Sequence, residues 1–147
     1  MKNAPKITRV QLQVNTNHDS VLIGIVSAEP DYKISLSLNK ILNFSLKHIT
    51  PISLTDDDSR NVLSFSRFSD HSKAPDYTID LISNRCGKNF LLKKLINIDY
   101  IIHIQDPENY NNADKIIPIL RNIEAINAVF LLDIETIRDK NLQYIIQ

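Results

Sequence analysis

Val21-Leu22-Ile23-Gly24-Ile25-Val26, followed by Ser27-Ala28-Glu29-Pro30-Asp31, is the stretch on which the fold turns. A nearly continuous apolar run with no alternation predicts a strand covered on both faces. Ser27, Glu29, Pro30 and Asp31 then bring a small oxygen side chain for capping, a proline suited to a first helical turn, and acids for the positive end of the helix dipole. Ile34, Leu38, Ile41 and Leu42 recur at i, i+4, i+7 and i+8, while Lys33, Ser37 and Lys40 lie off that stripe. The spacing predicts a helix with one buried face.

Upstream, Val10, Leu12 and Val14 alternate with Gln11 and Gln13, the period of a half-buried strand, and Asn15 to Ser20 reads as a turn. Residues 1–8 are expected to be a flexible N-terminus. Downstream, Leu46 and His48 to Ile52 look extended, with Pro51 favouring an edge or a strand end. Asp56-Asp57-Asp58 is a solvated loop. Val62 to Phe68 and Asp76 to Ser83 form a hairpin pair across a long polar turn, and Phe68, out of phase with Leu63 and Phe65, suggests a bulge. Asn84 to Asn89 is a second loop, and Phe90 to Asn97 is expected to make one or two helical turns. Ile98, Tyr100, Ile102 and Ile104 then alternate with Asp99, Ile101, His103 and Gln105 as a strand. Ile116, Ile119, Leu120 and Ile123 mark a second amphipathic helix, expected to begin a residue or two before Pro118. Ala128 to Leu132 reads as a buried strand and Glu135 onward as a short helix. The order of elements predicts one α+β domain over residues 1–147: a two-layer sandwich with a mainly antiparallel sheet, two principal helices and a short C-terminal helix.

A chain of 147 residues buries roughly two-thirds of its unfolded surface, enough for a real core. Seventeen basic residues balance seventeen acidic ones, so there is no net pull toward nucleic acid or an anionic membrane. No apolar run approaches the roughly 18 residues of a membrane span, and the start Met1 to Lys6 leads into no signal-peptide core. With only Gly24 and Gly87, no phosphate-cradling loop, dinucleotide fingerprint or nucleophile elbow can be built. A single cysteine, Cys86, supplies no internal disulfide or thiolate cage, and a reducing cytoplasm is the simplest compartment. His18, His48, His71 and His103 lack metal-ligand spacing, and the aspartate run lacks the donors of a calcium loop, so neither metal nor cofactor is expected.

The segment Val21 to Asn43, in which Leu22-Ile23-Gly24-Ile25 leads into Asp31-Tyr32 and then Leu38-Asn39, resembles the front half of the small bacterial proteins of the IPExxxVDY family, known mainly from Bacteroidetes. In the window that corresponds to the naming motif, Leu92 to Tyr100, Ile98-Asp99-Tyr100 matches the closing part, while Lys93 and Lys94 stand where Pro and Glu are expected. The resemblance extends over most of the chain. It brings no catalytic residues to carry over, and any role of the Pro-Glu pair is missing here.

Four residues draw chemical interest. Cys86 lies beside Arg85 and near Lys88, charges that favour a thiolate. Asp99 and His103 fall on one strand face as an outward, partly exposed pair, and Tyr100 points inward with its hydroxyl seeking a partner at the rim. Two readings follow. The first is a non-enzymatic cytoplasmic interaction domain with a protein partner, in the simplest case a homodimer formed through a sheet edge or an apolar helix face, and with no nucleic-acid or membrane partner. The second is a small-molecule binder or enzyme whose pocket lies between the sheet and the loops Ser83–Asn89 and Asp106–Asn112, with Cys86, Asp99, Tyr100 and His103 as its polar groups.

Overall fold

A computed structural model describes residues 20–146. The strand expected at Val10–Val14, residues 15–19 of the turn after it, the N-terminal residues 1–8 and His18 lie outside the described residues; Ser20, read as the end of that turn, is the first residue of a strand. The elements are β1 (Ser20–Val26), α1 (Asp31–Leu42), β2 (Lys47–Thr55), β3 (Val62–Asp70), β4 (Thr78–Ser83), β5 (Arg85–Cys86), β6 (Asn89–Phe90), β7 (Tyr100–Gln105), α2 (Ala113–Arg121), β8 (Ala128–Leu132) and a 3-10 helix (Lys140–Tyr144). Six strands form one sheet in the order β2-β3-β4-β7-β1-β8, and β5 and β6 form a small hairpin of their own. Every neighbouring pair in the large sheet is antiparallel. The fold is thus an α+β sandwich, and no helix among the described residues is long and apolar enough to cross a membrane.

Alternation along β1 and β7 sorts the core into two halves. Ile23, Ile25, Tyr100, Ile102 and Ile104 face α1 and α2, joined there by Ile34, Leu38, Ile116 and Leu120. Leu22, Ile101, Phe65 and Ile82 face the other way, against Leu91, Leu92 and Ile145. Both faces of the central strands are covered, as the apolar run requires, but the second cover has no α-helix: the β5–β6 hairpin, the chain after it and the C-terminal segment with its 3-10 helix supply it. At Phe90–Asn97 the expected turns form as two single hydrogen-bonded turns, Leu95 N–H to Leu92 O and Ile98 N–H to Leu95 O, with no α-helix, and Asn84 fastens them to the sheet. Asn84, fully buried, donates through Nδ2 to Leu95 O and Ile98 O, and its Oδ1 accepts from Leu92 N–H. Asn141 adds a bond from its Nδ2 to Leu91 O, which docks the C-terminal segment.

Several local readings are corrected. Phe68 belongs to the helix-side core and Phe65 to the opposite one, so their phase is ordinary alternation; the register shift is on β2, between Ile49 and Ile52, beside Pro51. Pro30, with extended backbone, occupies the cap position of α1 without a side-chain cap bond, and Ser27 serves the preceding turn instead. Ile41 is exposed. α2 starts at Ala113, capped by Asn112 accepting from Asp114 N–H, and carries Pro118 inside it. β8 is an edge strand rather than a buried one, with Phe130 and Leu131 exposed.

Candidate functional site

The four residues singled out by the sequence stand in three places. Asp99, just before β7, and Tyr100, its first residue, grip the β1–α1 connection. Asp99 Oδ2 accepts from Ser27 N–H at 2.9 Å, and Oδ1 accepts from Arg85 Nε at 3.0 Å, with Arg85 Nη2 at 2.9 Å. The guanidinium also lies 4.7 Å from the centroid of the Phe90 ring. Tyr100 donates its hydroxyl hydrogen to Glu29 O at 2.6 Å. Burial first, and then the negative charges of Asp31, Asp99 and Glu29, push that hydroxyl up to about 12. Ser27 completes the clamp by donating from Oγ to Ala125 O. A cavity of about 470 Å³ opens beside these residues. The reading of Asp99 as an outward neighbour of His103 is corrected: its partners are Arg85 and the Ser27 backbone, and its side chain is 17% exposed.

His103 is buried and belongs to a different cluster. The register places Asp80 of β4 directly opposite it, and Ser20 sits one pleat away on β1. His103 Nε2 lies 3.2 Å from Ser20 Oγ and Nδ1 lies 3.5 Å from Asp80 Oδ2. Ser69 of β3 donates to Asp80 Oδ1, and His71 Nε2 stands 3.9 Å from the same oxygen. Burial opposes ionisation of Asp80, yet the His103 imidazole 3.5 Å away, the hydrogen bond from Ser69 and the His71 ring together hold its carboxyl below the ordinary value.

By residue type, Ser20, His103 and Asp80 have the composition of an acyl-transfer triad, but the hydrogen-bond polarity is reversed. Ser20 Oγ lies 2.5 Å from Gln105 Oε1, a separation that suits O–H···O and is too short for N–H···O. With the hydroxyl donating to Gln105 Oε1, its oxygen meets His103 as an acceptor in the tautomer that carries a proton on Nε2. A nucleophilic serine needs the opposite arrangement, with the hydroxyl donating to a bare ring nitrogen. As placed, the chain Ser69–Asp80–His103–Ser20 ties four strands together on the face away from the helices.

Cys86 lies on the β5–β6 hairpin, half-buried, with its side chain packed against the second core. The described histidines are engaged elsewhere: His48 meets the Phe68 ring edge-on, and His71 and His103 face Asp80. Among the described residues no group of three His, Cys, Asp or Glu side chains is placed to hold a metal ion. A wider cavity, about 630 Å³, has Phe65 and Phe90 among its apolar lining, Lys88, Lys93 and Lys140 among its basic groups, and the Asp56–Asp58 loop among its acidic ones. Sequence reasoning missed Ser20, Asp80, Asn84 and Arg85. The available signal for Asp80 and His103 was weak, since each shares its strand phase with one isoleucine and one polar residue, Ile82 and Thr78 for Asp80 and Ile101 and Gln105 for His103. Compared with known proteins, the chain matches no family model, no curated protein and no solved structure.

Proposed function

We propose that this chain is a cytoplasmic protein-interaction domain without chemistry of its own, which receives a β-strand from a protein partner along β8. The observation that carries this reading is the unequal protection of the two sheet edges. β2 holds Lys47, Pro51 and a register shift, the devices by which natural sheets discourage edge pairing. β8 reads Ala128-Val129-Phe130-Leu131-Leu132, with no charge and no proline; Phe130 is 49% exposed and Leu131 58%. Among the described residues, β8 pairs only with β1 and its other edge is open. A second copy of the chain is the first partner to consider.

The likeness to the IPExxxVDY proteins fits this reading as one of architecture, since Asp99 and Tyr100 are used to fasten the β1–α1 connection. Support for the small-molecule alternative is weaker, because Cys86, the Asp99–Tyr100 pair and His103 stand apart. Amide hydrogen exchange at Ala128–Leu132 tests the proposal. The outward N–H groups are expected to exchange fast in dilute protein and to gain protection when a partner is present. A partner complex that leaves these amides unchanged, or that survives Phe130→Lys, refutes β8 as the contact.

A further inference from the structure

We infer that the strand added to β8 is β8 of a second copy, paired antiparallel about a two-fold axis at Phe130. The inference rests on the strand-addition reading and names its partner. Phe130 is opposite Gly24 in the β1–β8 ladder. Gly24 has no side chain of its own and Ile98 packs over it, 2.9 Å from where a Cβ would stand, while the Phe130 ring opposite is left 49% exposed. The ring needs cover from outside, and a two-fold at Phe130 supplies it with the partner's Phe130, an aromatic cross-strand pair.

The same register sets Ala128 against the partner's Leu132 and Val129 against the partner's Leu131, so the full uncharged length of β8 is used. One step beyond the strand, Asn127 faces the partner's Asp133, an amide donor against a carboxylate. Shifting the axis to Leu131 loses this match and opposes Asp133 with Val129. A parallel in-register pairing stacks like carboxylates at 133, which is unfavourable. The formal charge of the chain is zero, so no long-range repulsion keeps two copies apart. A contact of one short strand from each copy falls at the small end of specific interfaces, and the dimer is accordingly weak and concentration-dependent.

The experiment is sedimentation velocity on the full chain from about 10 µM to about 1 mM, the range in which such contacts equilibrate. Self-association is expected, with the dissociation constant raised at least about tenfold in Phe130→Lys. It is expected to be unchanged in Leu36→Lys, a control on the exposed side of α1. In a Cys86→Ser background, Phe130→Cys is expected to form a disulfide dimer, because directly opposed Cα atoms lie about 4.5–5.5 Å apart, within disulfide reach. Leu131→Cys, offset from its own copy, is expected not to. Dimers that cross-link through Leu131→Cys and not Phe130→Cys overturn the register. A strict monomer at 1 mM whose β8 amides are protected by a different protein overturns the second copy and leaves the strand-addition reading standing. Self-association indifferent to Phe130→Lys overturns the second copy at β8, and a partner complex that leaves the β8 amides unprotected overturns both.

Discussion

Replacing Asn84 by alanine is expected to destabilise the fold far more than the size of the side chain suggests. Three hydrogen bonds disappear at once: to Leu95 O at 3.0 Å, to Ile98 O at 2.9 Å and from Leu92 N–H at 2.8 Å. Leu92 is fully buried and Ile98 is 5% exposed, so two of the three released backbone groups have no route to water, whereas Leu95 O keeps its bond from Ile98 N–H. An unsatisfied buried group costs roughly 1–3 kcal/mol; two of them, with a small loss for the third, come to about 3–4 kcal/mol. That is a large share of the roughly 5–15 kcal/mol that holds an ordinary domain together. Urea unfolding followed by far-ultraviolet circular dichroism measures it: with an m value of about 2 kcal/mol/M, the midpoint falls by about 1.5–2 M. Because Asn84 also pins the chain that covers Leu22 and Ile101, amide exchange at residues 91–98 is expected to accelerate in step. A loss under about 1 kcal/mol would refute the reasoning that Asn84 is what fastens this segment to the sheet.

Four further outcomes follow from the geometry. Tyr100 has its hydroxyl pushed up to about 12 from 10.0, so the neutral form is favoured by folding. The contribution, about 2 kcal/mol, is complete below pH 10 and lost as pH rises toward 12; alkaline unfolding monitored by tyrosinate absorbance tests this, and Tyr100→Phe should flatten that window. Asp80 is held below its ordinary 3.8, so its contribution is present above that value and lost as pH falls below it. Asp80→Asn should therefore flatten the acid limb of a stability profile, and an unchanged limb would show that the His103 contact is energetically idle. Gly24→Ala brings a Cβ to 2.9 Å from Ile98 Cδ1 and is expected to cost about 1–3 kcal/mol by overpacking, recovered in part by Ile98→Val in a double-mutant cycle of thermal unfolding. Asp99→Asn keeps an acceptor for Ser27 N–H and loses mainly the half-exposed Arg85 pair, for about 1 kcal/mol or less; Asp99→Ala also strands that N–H and should cost more. Equal losses for the two variants would mean that the Ser27 contact is not the important one.

The legible parts of this protein were those carried by local periodicity. The Val21–Val26 run, the Ile34–Leu38 stripe and the alternation of Tyr100, Ile102 and Ile104 all appear as elements covered by apolar neighbours, whereas Ile98, read as part of that alternation, precedes β7 and packs in the opposite core. The sequence did not show which side chain fastens the turns after Phe90, a task taken by Asn84, whose three partners lie 8 to 14 residues away. It failed again at β8, whose apolar composition is that of a buried strand while its place in the sheet order makes it an edge.

The sequence by itself determined which segments bury a face, since a period of two or of 3.6 is a property of neighbouring residues and survives any arrangement of the elements. Only the tertiary structure decided which polar groups meet. Ser20 finds His103 across 83 positions, and Ser27 finds Asp99 across 72. These encounters depend on strand order and register, where a slip of one residue turns every side chain to the other face. Local chemistry specifies the faces, and only the assembled sheet specifies their partners.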